Sequence, residues 1–277
     1  MAKLGIACIQ LTSVQDWQLN LNKVLELMTA AMDHNPRLLV LPENVFLFDA
    51  KQMRALSESE STTVILEAIK RFASEKNVYV LIGSHPMALD QDSRLVKAGR
   101  VRQSSLLIGP EGEVLARYDK IHLFDVDVDD KANTYRESRY IEPGEIAPVV
   151  YLVDDVCLGF SICYDLRFPE YYRRLAELGA EVVVVPSAFT YKTGEAHWHT
   201  LLCARAIENQ FYVAGVGQVG WHSDTRRTYG NTVAYSPWGE LIDKLDGEQE
   251  GIIYFEVDKT YLKSVRSAMP CLQHRRL

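Results

Sequence analysis

The sequence predicts a layered α/β protein in which two β-sheets pack face to face with helices on the outside. Two observations carry this. The first half alternates apolar, strand-like runs with amphipathic helical stretches, and the strand-like runs along the 277 residues exceed what one helix-covered sheet would need. A doubly wound single sheet is the alternative. No low-complexity linker or composition break interrupts the chain, so residues 1–277 read as a single domain.

Residues 4–11 are a β-rich apolar run, and over 16–32 the side chains of Leu21, Val24, Leu25, Met28, Ala31 and Met32 share one helical face. Residues 38–41 form a short continuous apolar strand of the kind buried on both faces, ending in Pro42-Glu43-Asn44. A helix over 62–74, with Val64, Ile65, Ala68, Ile69 and Phe72 in register, and a strand over 78–82 complete a βαβαβ run. The rhythm then changes, because strand-like 101–108 and 113–118 flank Gly109-Pro110-Glu111-Gly112, which reads as a hairpin turn. Residues 125–148 are acidic with little periodicity and read as a surface loop. A second hairpin is expected from 149–153 and 156–162 around Asp154-Asp155, followed by a helix to 178, a strand over 182–187, a helix over 196–208 and a strand over 211–216. Strand-like 232–235 and 240 onward flank Ser236-Pro237-Trp238-Gly239, residues 251–257 continue the sheet, and a helix near 258–267 precedes a basic tail.

With 47% hydrophobic and 24% charged residues the composition is that of an ordinary globular protein. A net charge of −7 argues against a nucleic-acid surface or a polybasic membrane patch and points to a small molecule or another protein as partner. Five cysteines, at 8, 157, 163, 203 and 271, show no CxxC spacing, so neither a disulfide framework nor a zinc ribbon is expected and the compartment should be reducing. Met1-Ala2-Lys3 leads straight into a strand with no signal-like apolar region, and no stretch is apolar enough to span a bilayer. A soluble, cytoplasmic protein is the expectation.

The chemistry gathers at Cys163. Residues 156–162 are mostly apolar with a β-branched residue at each end, whereas Pro169-Glu170 and the apolar-periodic run after them read as the first turn of a helix. Cys163 therefore falls at a strand-to-helix turn, the setting of a nucleophile elbow, where backbone N–H groups and the helix dipole favour a thiolate and a developing oxyanion. The plainer role for a cysteine is a small buried apolar residue. Glu43 and Lys120 lie close to strand ends too, where each alone would be an ordinary solvated charge. In layered α/β folds such ends converge on one cleft. There a Cys could attack an electrophilic carbon, a Glu move the proton and a Lys face the oxyanion. The ordinary pKa values of Glu and Cys differ by about four units, so burial of Glu43 is expected to raise its pKa while Lys120 and the helix N-terminus lower that of Cys163. Alternatives are His122 as base in a Cys–His pair, a metal site from His197, His199 and Cys203, and a binding protein that kept the fold without activity.

Leu41-Pro42-Glu43, Tyr118-Asp119-Lys120-Ile121-His122-Leu123 and Cys163-Tyr164-Asp165-Leu166-Arg167-Phe168-Pro169-Glu170 resemble the three signatures of the nitrilase, or carbon–nitrogen hydrolase, superfamily. Pro186-Ser187-Ala188-Phe189, Ala196-His197-Trp198 and Ala204-Arg205-Ala206-Ile207-Glu208-Asn209 resemble further blocks of it, so the likeness spans nearly the whole chain. The resemblance implies a four-layer α-β-β-α sandwich of the nitrilase type, a catalytic Glu43–Lys120–Cys163 triad, no metal or organic cofactor, and a homodimer or larger homo-oligomer. The family's second active-site glutamate maps to Glu137. Tyr164-Asp165 is similar to the amidase branches, where nitrilases have Trp-Glu, which implies an amide substrate over a nitrile. Residues 217–222, 225–232 and 125–128 are most similar to the branch that hydrolyses deaminated glutathione to 2-oxoglutarate and cysteinylglycine. A branch acting on 2-oxoglutaramate, or on another small aliphatic amide or nitrile, is the alternative. This chain has Gly230-Asn231-Thr232 where the first branch usually has Gly-His-Ser. A 2-oxo acid substrate needs a local cation, for which Arg167, Arg226 and Arg227 are candidates, with Tyr164 and Phe189 as further substrate-binding residues. A dimer is expected through the elbow helix, with Tyr171, Tyr172, Leu175 and Leu178, and the 196–208 helix, with Trp198, Leu201, Leu202 and Ile207.

Overall fold

The computed structural model describes residues 3–97 and 99–276. The first half runs β1 (Lys3–Gln10), α1 (Trp17–Ala31), β2 (Leu38–Val40), α2 (Met53–Glu58), α3 (Glu60–Lys76), β3 (Tyr79–Met87), β4 (Arg102–Ile108) and β5 (Val114–Asp119). A small hairpin of β6 (Asp125–Asp127) and β7 (Thr134–Arg136) follows. Then come β8 (Val150–Val153), β9 (Val156–Phe160), α4 (Pro169–Glu177), β10 (Val182–Ser187), α5 (Tyr191–Asn209) and β11 (Tyr212–Gly217). A second small hairpin of β12 (Val219–Trp221) and β13 (Arg227–Tyr229) precedes β14 (Val233–Tyr235), β15 (Leu241–Lys244), β16 (Gly251–Asp258) and α6 (Lys259–Ala268).

Two six-stranded sheets form, in the orders β16-β1-β2-β3-β4-β5 and β15-β14-β11-β10-β9-β8. Strand alternation builds the layers. In β1, Ile6 and Cys8 join the cluster between the sheets, while Ala7 and Ile9 join the cluster that holds Val24 and Met28 of α1 and Ile65 and Ile69 of α3. Beyond the second sheet lie α4 and α5, whose Tyr172, Leu175, Trp198 and Leu202 are buried. The order across the molecule is helix, sheet, sheet, helix, the four-layer sandwich that the strand count and the family resemblance both predict. Asp16 starts α1 by accepting from the backbone N–H groups of Gln18 and Leu19 at 2.9 and 3.3 Å, and the predicted face of Leu21, Val24, Met28 and Ala31 is the buried one. Among the described residues no helix is long and apolar enough to cross a membrane.

Three expectations change. Residues 125–148 hold the β6–β7 hairpin and a 3-10 turn at Glu137–Arg139 as well as loop. The short α2 and the β12–β13 hairpin carry no periodicity long enough to be read in advance. On the elbow helix and its neighbour, Tyr171, Tyr172, Leu175, Trp198 and Leu202 are core residues of the single chain and Leu201 is partly buried, leaving only Leu178 and Ile207 half exposed. Tyr172 is thus no surface residue: its hydroxyl meets Ser161 Oγ at 2.9 Å inside the fold, and the expected apolar dimer face is largely spent on the chain's own sheet.

Candidate active site

β1, β2 and β3 are parallel, as are β9, β10 and β11, so their carboxyl ends open on one side of each sheet. Glu43 lies three residues beyond β2, Lys120 directly after β5, Cys163 three residues beyond β9 and Ala188 directly after β10. The backbones crowd there: a Cβ at Gly83 of β3 would sit 2.1 Å from the Leu41 carbonyl oxygen, so only glycine lets the Glu43 turn pack against its neighbour strand.

Lys120 is 1% exposed and donates to Glu43 Oε1 at 2.8 Å and to Glu137 Oε1 and Oε2 at 2.7 and 3.0 Å. Glu43, itself buried, uses Oε2 to accept from the backbone N–H of Ala188 at 2.8 Å, which ties the end of one sheet to the end of the other. Glu137 Oε2 also accepts from the Phe124 N–H at 2.6 Å. Burial opposes the Lys120 charge, but the carboxylates of Glu137 and Glu43 outweigh it and hold the ammonium well above its ordinary pKa. For Glu137, burial raises the carboxyl pKa, Lys120 pulls it down and Glu43 pushes it up, with a net rise. One cation thus serves two carboxyl groups, a formal net charge of −1 when both are ionised.

Cys163 faces the same cleft, 7% exposed, and has a left-handed backbone at φ 48°. A non-glycine residue in that region is strained by about 1–3 kcal/mol and persists only where its surroundings enforce it. Here they do. Asp165, fully buried, accepts from the Ile162 N–H at 2.8 Å, the Tyr118 hydroxyl at 2.6 Å and the His122 N–H at 3.3 Å, and its Oδ1 lies 2.7 Å from His122 Nδ1. Arg205 donates twice to the Leu166 carbonyl, at 3.1 and 2.9 Å. The segment around Lys120 therefore does more than carry the lysine: its Tyr118 and His122 lock the turn on which the cysteine stands.

The thiol departs from expectation. Burial, then the charge of Glu43, push the Cys163 pKa well above its ordinary value, while Lys120 and the Ala188 N–H pull less strongly the other way. The α-helix begins at Pro169, as predicted, and a 3-10 turn over Cys163–Arg167 stands between it and the thiol. Burial and Glu43 together favour the neutral thiol at Cys163. His122 does not line the cavity that Cys163 faces; its ring pairs with Asp165 and stacks on Phe168 at 3.7 Å. His197, His199 and Cys203 do not assemble a metal site: they contact Arg167, Tyr235 and Gly239 respectively, and no metal-binding group of three appears among the described residues.

A cavity of about 340 Å³ opens above Cys163, Lys120, Glu43 and Glu137. Tyr164, Phe189 and Arg226 line it, as predicted, together with Phe48, Tyr135, Arg136 and His222, which sequence reasoning missed. Arg226 sits 4.8 Å from the Tyr135 ring and 5.7 Å from the Phe48 ring, and its Nη2 donates to the Ala188 carbonyl at 2.7 Å. Its Nη1 is buried without a hydrogen-bond partner. Arg167 and Arg227 are elsewhere. Arg167 lies behind the cavity wall, 5.4 Å from the Phe189 ring, and Arg227 lies over Tyr191 and pairs with Glu248.

A family model described as carbon–nitrogen hydrolase matches residues 5–267. The chain belongs to the carbon–nitrogen hydrolase family. It is 39% identical over 277 residues to a deaminated glutathione amidase of Yersinia enterocolitica, covering 100% of this chain and 94% of that protein. The solved structure of Saccharomyces cerevisiae Nit3, a member of branch 10 of the nitrilase superfamily, superposes with a TM-score of 0.85 at 29% identity, covering 99% of this chain and 97% of the other. An amidase from Nesterenkonia sp. AN1 superposes with a TM-score of 0.78 at 26% identity over 96% of this chain and 98% of its own. Its glutamate-to-glutamine mutant carries acrylamide on the active-site cysteine. Membership makes this chain a hydrolase of carbon–nitrogen bonds, with the amidase-type Tyr164-Asp165 at its elbow.

Proposed function

We propose that this protein is a cysteine amidase whose acyl substrate ends in a carboxylate, most closely the 2-oxoglutaryl amide of deaminated glutathione. The observation that carries it is the cleft in which Cys163 meets the Glu43–Lys120–Glu137 cluster and which Arg226 also lines, bringing a cation to the same cavity. The name of the Yersinia relative supports the same acyl group.

Cys163 Sγ attacks the amide carbon as the thiol proton passes to Glu43. Because the thiol pKa is high, loss of that proton to water would leave the cluster at −2, whereas transfer to Glu43 keeps it at −1; the base must therefore be internal. Lys120 faces the developing oxyanion. An ammonium has only three donors, and here they are committed to Glu43 and Glu137, so the Glu137 contact must loosen by one oxygen to free an N–H. Glu137 thus positions the lysine. The tetrahedral species collapses, the C–N bond breaks, and the leaving nitrogen takes the proton from Glu43, leaving a thioester on Cys163. Water then attacks the thioester, Glu43 takes its proton and returns it to the departing sulfur, and the carboxylic acid product leaves.

The test is release of 2-oxoglutarate from deaminated glutathione and 2-oxoglutaramate, with ammonia release from glutamine and butyronitrile as controls. Turnover should be largest on the two 2-oxo acid amides, smaller on glutamine and least on the nitrile. A nitrile preferred over both 2-oxo acid amides would overturn the proposal.

A further inference from the structure

His222, just beyond β12, is 7% exposed and has both ring nitrogens engaged. Nδ1 faces the Ser13 carbonyl at 2.7 Å, which can only accept, so Nδ1 carries the hydrogen and Nε2 accepts from the Thr228 hydroxyl, also at 2.7 Å. The imidazole lies flat on Phe48, with ring centroids 3.6 Å apart and planes 8° from parallel. Its backbone N–H donates to the carbonyl of Arg226 at 2.9 Å. His222 is therefore joined to Arg226 twice, by the main chain of the β12–β13 turn and through the Phe48 ring that the guanidinium approaches. No step of the proposed reaction uses this fully satisfied, neutral ring, although it lines the cavity.

We infer that His222 is a positioning residue for substrate selection: by fixing Phe48 and the Arg226 backbone it aims the Arg226 guanidinium at the substrate carboxylate. The physical ground is preorganisation. An arginine side chain has many rotamers, and a carboxylate is bound well only by one that is already oriented. The Ala188 carbonyl and the Tyr135 ring restrain the guanidinium, and the Phe48 ring, stacked on His222, lies 5.7 Å from it. The inference rests on Arg226 as the carboxylate anchor.

Steady-state kinetics of the full chain on 2-oxoglutaramate and on neutral butyramide test it, with the variants His222→Asn, Thr228→Val, Arg226→Gln and the His222→Asn/Arg226→Gln pair. His222→Asn should raise KM for 2-oxoglutaramate about tenfold with kcat within about twofold, and leave kcat/KM for butyramide within about twofold. Thr228→Val, which removes only the hydroxyl held by Nε2, should shift the same KM about threefold. The double variant should be no worse than Arg226→Gln alone, as expected of two residues acting through one contact. Equal losses on both amides, a loss confined to kcat, or additive effects in the double variant would overturn the inference while leaving the anchor intact. Should His222→Asn fail to fold, an unchanged KM in Thr228→Val decides against it. If Arg226→Gln itself leaves KM for 2-oxoglutaramate unchanged, the anchor falls, and the inference with it.

Discussion

Two regions of the molecule contribute to one cavity in different ways. Glu43, Lys120 and Cys163 stand on turns at the ends of strands of the two six-stranded sheets and are joined across the sandwich by buried hydrogen bonds, Glu43 to Ala188 and Tyr118 to Asp165. Tyr135, Arg136 and Arg226 come instead from the β6–β7 hairpin and the turn of the β12–β13 hairpin, whose strands are three residues each. The first region fixes groups whose charges must be balanced to within one unit. The second lines the cavity with aromatic rings and arginines that can differ without disturbing the core. In the proposed mechanism bond cleavage belongs to the sandwich and substrate choice to the hairpins, the usual division between a rigid scaffold and the loops it carries.

Breaking the first region should cost most. Cys163→Ala should fold normally and lose at least about a thousandfold in turnover on every amide tested; retention of a tenth of wild-type activity would show that the nucleophile lies elsewhere. Lys120→Gln should lower kcat by about 10²- to 10³-fold through the lost oxyanion partner. Because it leaves two carboxylates buried together, it should also destabilise by about 3–5 kcal/mol in urea titration, a loss that a surface lysine would not show. In the second region the effect is smaller and falls on binding: Arg226→Gln should raise KM for 2-oxoglutaramate by roughly 10- to 150-fold, the equivalent of about 1.5–3 kcal/mol for a charged hydrogen bond. A matching loss on butyramide would erase the distinction between the regions.

Acid separates them further. His85, enclosed beside Thr62 and Phe46, is lowered by burial to about 3, and His222 is lowered, chiefly by burial, to about 4. Both lie below the ordinary histidine value of about 6.5, so below that pH the unfolded chain binds more protons than the folded one. Their stabilisation is complete above pH 6.5 and is lost as pH falls toward about 4 for His222 and about 3 for His85. Each should contribute a slope of about 1.4 kcal/mol per pH unit within its window. Urea midpoints between pH 7 and pH 4.5 should fall in wild type and fall less steeply in His222→Asn; equal slopes would show that His222 is protonated in the fold.

Much of the first region was legible because it is made of sequence-local events. An apolar run ends, a proline or turn follows, and a reactive side chain appears, at Leu41-Pro42-Glu43, at Asp119-Lys120 and before Cys163. The layers follow from the same runs. What stayed hidden was long-range or backbone-borne. The Ala188 N–H that holds Glu43 has no side-chain signal, and the partnership of Asp165 with Tyr118 spans 47 residues. The direction of the Cys163 shift was misjudged because burial and Glu43 outweigh Lys120, a balance set by packing. Arg226 and Arg227 are neighbours with opposite fates, since one precedes β13 and turns into the cavity while the other begins the strand and faces Tyr191. No composition argument separates them. The hairpins themselves are too short to impose a readable period.

In the proposed mechanism one thioester on Cys163 is common to every substrate with the same acyl group. Deaminated glutathione and 2-oxoglutaramate share that group and differ only in the leaving amine, so the direct measurement is the partition of each between hydroxylamine and water. The ratio of hydroxamate to 2-oxoglutarate should be the same for both at a given hydroxylamine concentration, because both pass through the same acyl-enzyme before the nucleophile is chosen. Ratios that depend on the leaving amine, or no hydroxamate at all, would contradict it.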